Sequence, residues 1–214
     1  MDTGGTSQRE RYRARVHAEI KRHAWEQLAT TGVCALSLNA IAKCMGMSGP
    51  ALYRYFASRD ELITALIRDA YRSLADTVRA AFDSGADVSG LAHAIRTWAF
   101  DDPHRYFLIY GTPVPGYHAP EETKKISFEI MTVLITVHTA VSPRTSATPF
   151  DAHLENHRQW AGDHPAPPAA LHWALSFWTR LHGALSLELA GHFAGMEFEP
   201  ALLFEDELND LLAH

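Results

Sequence analysis

Residues 44–61 read CMGMSGPALYRYFASRDE and set the turn-forming residues Gly46, Ser48, Gly49 and Pro50 between two segments of helical periodicity. Upstream, Leu38, Ile41, Ala42 and Met45 share one helical face, with Ser37 placed as an N-cap. Downstream, Ser58-Arg-Asp-Glu61 has the spacing of a capping box. It opens a stripe of Ile63, Ile67, Ala70, Leu74 and Val78 that runs towards Gly85. A helix ending near Cys44, a turn over Gly46 and a new helix from Ser48 make a helix-turn-helix. Gly46 suits the left-handed conformation that closes a helix. Ser48 is expected to cap the second helix, where Pro50 forfeits no hydrogen bond. Gly49 and Ala51 carry little or no side chain, so this end can approach a surface closely, and its free amides suit phosphate.

The charge of the chain is uneven. Residues 1–60 hold nine Lys/Arg and five Asp/Glu, a net of +4, although the whole chain carries −6. A basic first part points to nucleic acid and the acidic remainder to a different partner, which predicts two domains, 8–57 and 58–214. Tyr53 and Tyr55 then supply hydroxyls, and Arg54 and Arg59 guanidinium groups, all suited to phosphate oxygens, which fix position on DNA without reading sequence. Leu52 and Phe56, four apart, read as the buried face.

The remaining segments also carry helical period, so the expected fold is all-α. Helices are predicted at 13–31, ending at Gly32, and at 89–100, 103–110, 120–140, 168–193 and 200–213, with Pro103 and Pro200 at first-turn positions. The stretch 142–168 reads mostly as loop, with a short helix within 151–160. No apolar run reaches the length of a membrane span, and the first residues lack the apolar middle of a signal peptide, so a cytoplasmic location with no membrane partner is expected. Cys34 and Cys44 read as a reduced pair. Phosphate-loop, nucleophile-elbow, HExxH and dinucleotide motifs are missing, and no cofactor or catalytic residue is assigned. His153 and His157, four apart, lack the companion ligands of a metal site.

The run LSLNAIAKCMGMSGPALYRYFASRDELITALI, within a match over about residues 13–67, resembles the N-terminal domain of the TetR family of bacterial transcriptional repressors. The resemblance implies a three-helix DNA-binding domain with residues 48–54 as the recognition helix in the major groove. It places the phosphate-contacting aromatic on Tyr53, a second aromatic on Tyr55 and the basic residue on Arg59. Asn39 falls where many members carry a base-reading arginine, and asparagine can pair with adenine. Met47 stands in place of the commoner valine. The expected DNA-binding set is therefore Ser37, Asn39, Ser48, Gly49, Pro50, Ala51, Tyr53, Arg54, Tyr55 and Arg59.

The run FWTRLHGALSLELAGHF, residues 177–193, resembles the WHG-type C-terminal regulatory domain of one branch of that family, with Trp178, His182 and Gly183 at its namesake positions. The resemblance implies a sensor domain and a homodimer built on the last two long helices. A two-fold dimer would hold its recognition helices ~34 Å apart on a near-palindromic double-stranded operator. The helix 168–193 is apolar nearly all round, as expected of one buried against both core and partner. Leu171, Leu181, Ala184, Leu185, Glu188 and Leu208 are the expected interface.

Aromatic residues are dense in the second domain, and Trp98, Tyr106, Phe107, Tyr110, Phe128, Met131, Trp173, Phe177, Trp178 and His182 form a candidate pocket for a small, largely apolar or aromatic effector. The Pro/Gly-rich loop 110–120 is its candidate mouth. His182 also reads as a core histidine with its hydrogen bonds satisfied. The combined expectation is a ligand-responsive repressor. The alternatives weighed are an α-helical enzyme using the His-rich aromatic site, which would survive removal of residues 1–57, and a helical adaptor that binds only protein.

Overall fold

The computed structural model describes residues 8–111, 120–139, 148–162 and 164–213, and among these it holds ten α-helices and no strand. They fall into two compact units that divide at Asp69/Ala70. Of the expected pocket mouth, 110–120, residues 112–119 lie outside the described residues.

In the first unit, α1 (Gln8–Thr31) buries Val16, Ile20, Ala24 and Leu28, the stripe that its four-residue spacing predicts. A short 3-10 turn at Val33–Ala35 leads to α2 (Leu38–Cys44). The Ser37 side chain caps α2 by accepting from the Ala40 amide at 3.3 Å. The helix closes in a Schellman arrangement, with Met47 N donating to Ala42 O and Gly46 N to Lys43 O. Gly46 has φ +64, where a side chain would be strained. The next helix, α3 (Gly49–Leu52), is a single turn, and residues 53–56 follow as hydrogen-bonded turns. It is shorter than the helix expected over 48–54. Leu52 and Phe56 are buried, as their spacing suggests.

The fourth helix, α4 (Arg59–Asp83), runs through the division between the units. Its first turns bury Leu62, Ile63, Leu66 and Ile67, and Lys21 of α1 pairs with Asp69 at 2.6 Å. This is why the first unit extends beyond the boundary expected at 57. The capping box at its start is modified: Ser58 Oγ accepts from Glu61 N, but the Glu61 carboxylate takes the amide of Ala57 rather than that of Ser58.

The second unit comprises the rest of α4 with α5 (Val88–Asp101), α6 (Pro103–Tyr110), α7 (Glu121–Thr139), α8 (Pro149–Asn156), α9 (Pro168–Leu189) and α10 (Pro200–Ala213). Asp87 and Asp102 cap α5 and α6 through their side chains. Helix α8 starts earlier than expected because Thr148 and Asp151 form a capping box around Pro149. Conversely, α9 ends at Leu189, short of 193, since Gly191 takes φ +74 and His192 N turns back to Leu187 O.

Helix α9 presents three different faces. Ala170, Ala174, Phe177, Leu181 and Leu185 are buried in the core with Phe204 and Leu208 of α10. Trp178, His182 and Ser186, again four apart, meet α6. Thr179, Gly183 and Leu187 are exposed. The expected interface needs correction here. Leu171, Leu181, Leu185 and Leu208 are 0–1 % exposed within one chain and keep no surface to offer a partner. Glu188 is engaged by Arg96 through two bonds of 2.6 and 2.8 Å, while Ala184 is half-buried against the core.

Candidate nucleic-acid interface and aromatic cage

Between α2 and α3 the structure gathers a compact polar patch. Asn39, Ser48, Pro50, Tyr53 and Arg54 are exposed, and Ser37, Gly49, Ala51 and Tyr55 are half-buried. Asn39 lies against α3, its Oδ1 being 3.4 Å from where a Cβ on Gly49 would stand. A Cβ there would only just touch the Asn39 amide, so Gly49 presents bare backbone beside it. Ser48 departs from expectation: its side chain makes no capping bond, and only its carbonyl starts the helix, accepting from Ala51 and Leu52. Its hydroxyl is thus not committed to the cap. Ser37, by contrast, is held both by its capping bond and by donation of its amide to Gln27 Oε1 at 3.0 Å.

Tyr53 points away from the core, with 46 % of its surface exposed. Tyr55 packs edge-on against the His17 ring of α1 at 5.3 Å, and Phe56 meets the same ring at 5.0 Å. Burial, with help from Arg13 and Lys21, lowers the His17 pKa and keeps that ring neutral. Arg59 differs most from the expected picture. Its Nε donates to Leu36 O at 3.1 Å and one terminal nitrogen to Val33 O at 2.5 Å, while the other lies 3.7 Å from Asp60. It ties the turn before α2 to the start of α4, a role with no local sequence signal. Nearby, a groove of about 320 Å³ is lined by His17, Lys21, Phe56, Glu61, Thr64, Ala65 and Arg68.

In the second unit, two pairs at four-residue spacing build an aromatic cage: Tyr106 and Tyr110 from α6, Trp178 and His182 from α9. The His182 ring centre lies 4.2 Å from those of Tyr110 and Trp178 and 5.6 Å from that of Tyr106. Tyr71 of α4 reaches Tyr110 at 6.1 Å, and Phe107 packs edge-on against Tyr106. The Tyr106 hydroxyl is 3.0 Å from His182 Nδ1 and 2.7 Å from Ser186 Oγ. Burial holds the His182 pKa down at about 3 and pushes those of Tyr106 and Tyr110 up, so all three stay neutral near pH 7. Against expectation, His182 is not fully satisfied. Its Nε2 and the Tyr110 hydroxyl are buried without a hydrogen-bond partner.

The other expected pocket residues lie elsewhere. Trp98 stands next to Tyr106 at 6.5 Å but donates its indole N–H to Ser73. Trp173 stacks on His138 at 3.9 Å and on Phe177, and donates to Leu211 O, which makes it part of the packing between α7, α9 and α10. Met131 is buried in the same core, and Phe128 is half-buried on α7. Sequence reasoning missed Tyr71 and Ser186; the latter continues the 178–182 spacing and was legible on that ground. His153 and His157 stack face to face at 4.0 Å, and among the described residues no three potential ligands come together for a metal.

Comparison with known proteins bears on the family of each unit. Residues 20–66 match the family described as bacterial regulatory proteins, tetR family, and residues 88–211 match that described as Tetracyclin repressor-like, C-terminal domain. The HTH-type transcriptional regulator Rv1816 of Mycobacterium tuberculosis is 36 % identical, over 94 % of this chain and 92 % of that protein. The crystal structure of SCO4313 superposes with a TM-score of 0.91 at 67 % identity, covering 97 % of this chain and all of that one. A Rhodococcus sp. RHA1 protein of unknown function, 21 % identical with a TM-score of 0.68 and coverage of 98 % and 95 %, shares the fold. None of the matched families is catalytic. No helix among the described residues is long and apolar enough to cross a membrane. The helix-turn-helix of the first unit, the helical second unit and these matches together identify the chain as a member of the TetR family, a DNA-binding transcriptional regulator.

Proposed function

We propose that the chain is a homodimeric repressor that leaves a near-palindromic operator when a small, largely apolar or aromatic effector occupies the second unit, acting in the cytoplasm where its DNA lies. The observation that carries the reading is the exposed polar patch of Asn39, Ser48, Tyr53 and Arg54 beside the side-chain-free Gly49. Asn39 reads a base edge, and Tyr53 with Arg54 contacts phosphate. Arg59 supports this surface from behind by holding the 33–36 turn.

The exposed row Thr179, Gly183 and Leu187 on α9, together with Leu202 and Leu212 on α10, supports dimerisation through these two helices. Gly183 has open space where a side chain would stand, which suits a close crossing with a second copy. A two-fold dimer would place two reading units about one DNA turn apart, ~34 Å. The effector would favour a different spacing, transmitted along α4, with a coupling of about 1–3 kcal/mol.

Selection from a random duplex library, followed by anisotropy titration of the enriched sequence at two salt concentrations, tests the reading. A near-palindrome bound by the dimer with steep salt dependence is expected. A half-site bound by monomer would overturn the dimeric part, and no enrichment by folded protein would overturn the operator claim.

A further inference from the structure

The aromatic cage carries two polar atoms that a merely structural cluster would have satisfied. The Tyr110 hydroxyl and His182 Nε2 are both buried, and neither has a partner among the described residues. An unpaired buried polar group is costly, so two in one cluster point to a group that arrives from outside. Their ring centres are 4.2 Å apart, which puts both atoms within the span of one small molecule. Tyr71, Phe107, Tyr110 and Trp178 are only half-buried, so this side of the cluster is not sealed inside the core.

The chemistry of the missing partner follows from the hydrogen-bond pattern. Neutral imidazole has one donor and one acceptor nitrogen. If Tyr106 donates to Nδ1, then Nε2 carries the hydrogen and needs an acceptor. If Nδ1 donates to Tyr106, whose hydroxyl then donates to Ser186, Nε2 needs a donor. A hydroxyl group meets either case and can also pair with the Tyr110 hydroxyl; a carbonyl meets only the first. The titratable groups with ring contacts in the cage are Tyr71, Tyr106, Tyr110 and His182. None of them offers a counter-charge, and burial keeps His182 and Tyr110 neutral. A charged ligand would meet the same desolvation penalty, and these four groups carry no charge to offset it. The surrounding ring faces and edges suit a flat, apolar body.

We propose that this cage binds an uncharged ring compound bearing a hydroxyl group, which pairs with Tyr110 and His182 Nε2 while its ring packs against the half-buried Tyr71 and Trp178. The proposal rests on the effector reading above for its regulatory meaning, and on the two unpaired atoms for its chemistry.

Isothermal titration of the full-length protein with four compounds of one frame tests it: p-cresol, toluene, the p-toluate anion and the p-methylbenzylammonium cation. Binding of p-cresol at least about tenfold tighter than the other three is expected, the worth of satisfying the two groups. In Tyr110→Phe and in His182→Leu the advantage of p-cresol over toluene should shrink to within about threefold, with circular dichroism and a cooperative urea transition as the check on folding. Equal or tighter binding of either ion, no p-cresol binding at about 1 mM, or a p-cresol advantage that survives both substitutions overturns the assignment. If p-cresol binds as expected but leaves operator affinity unaltered, the effector reading fails while the ligand class stands.

Discussion

Asn39 Oδ1 sits 3.4 Å from the point where a Cβ on Gly49 would stand, so the two helices of the DNA-reading unit meet through a side-chain amide and a bare backbone. That distance is ordinary van der Waals contact, and Gly49 lies outside the left-handed region. Gly49→Ala should therefore fold normally, with stability unchanged or raised by up to about 1 kcal/mol through the unfolded state. Its methyl group would stand on the approach to DNA, and operator affinity should fall about tenfold. Unchanged affinity by anisotropy would remove Gly49 from the interface. Asn39→Ala should instead relax preference at one base position, readable in a repeat selection.

Arg54 and Arg59 sit five residues apart in sequence and are expected to behave in opposite ways. Arg54 is exposed, so Arg54→Ala should leave stability intact and reduce the slope of log K against log salt by about 1. Arg59→Ala loses two charge-assisted bonds to Val33 and Leu36 and should lose about 1–2 kcal/mol in urea titration. With its guanidinium engaged internally, it should alter the salt slope little. A slope change of about 1 with normal stability would show that Arg59 meets phosphate directly.

Two histidines of the second unit give opposite dependences on pH. His182 has its folded pKa lowered to about 3 by burial, so below about pH 6.5 the unfolded chain binds a proton that the folded one refuses. His182 should contribute a fall in stability of roughly 1.5 kcal/mol between pH 6.5 and 5, and His182→Gln should remove that share while His17 and His164, also lowered by burial, keep theirs. His93 has its pKa raised by the Ser89 carbonyl and by Glu205, so its contribution is present below pH 6.5 and is lost as pH rises through the folded pKa. His93→Gln should flatten the alkaline side alone. Urea midpoints measured from pH 5 to 8 check both.

Arg96 joins α5 to α9 through a bidentate bond to Glu188 and lies over the rings of Phe100 and Phe204. Both partners are mostly buried, so Glu188→Ala strands a charge and should cost about 2 kcal/mol. The double change Arg96→Met with Glu188→Leu should come within about 1 kcal/mol of the parent, since an apolar pair needs no charge compensation. A urea titration in which Glu188→Ala matches the parent would show that the bond contributes nothing net.

What was legible in the sequence was local. Ser37 as a cap, Gly46 as the end of α2, and the buried stripe of α1 all follow from residues within a turn of one another. The Thr148–Asp151 capping box was local too, but aspartate in place of glutamate hid it among prolines. Arg59 was illegible because its partners lie 23 and 26 residues upstream. The interface leucines were misplaced for a different reason: periodicity says that a face is covered, not by what. Leu171, Leu181, Leu185 and Leu208 are covered by their own chain. The cage was half legible, since aromatic density marked α6 and α9, but only geometry separates Tyr106, Tyr110 and His182 from Trp173 and Phe177 in the core.

The three faces of α9 repeat at four-residue spacing but never share a position. Substitutions at 178, 182 or 186 alter the cage, those at 177, 181 or 185 alter the packing of the unit, and those at 179, 183 or 187 alter only its outer surface. The lining of the cage can thus vary in one register of this helix while the core packing and the outer surface keep their own residues in the other two, which makes α9 the natural place to redesign the cage alone.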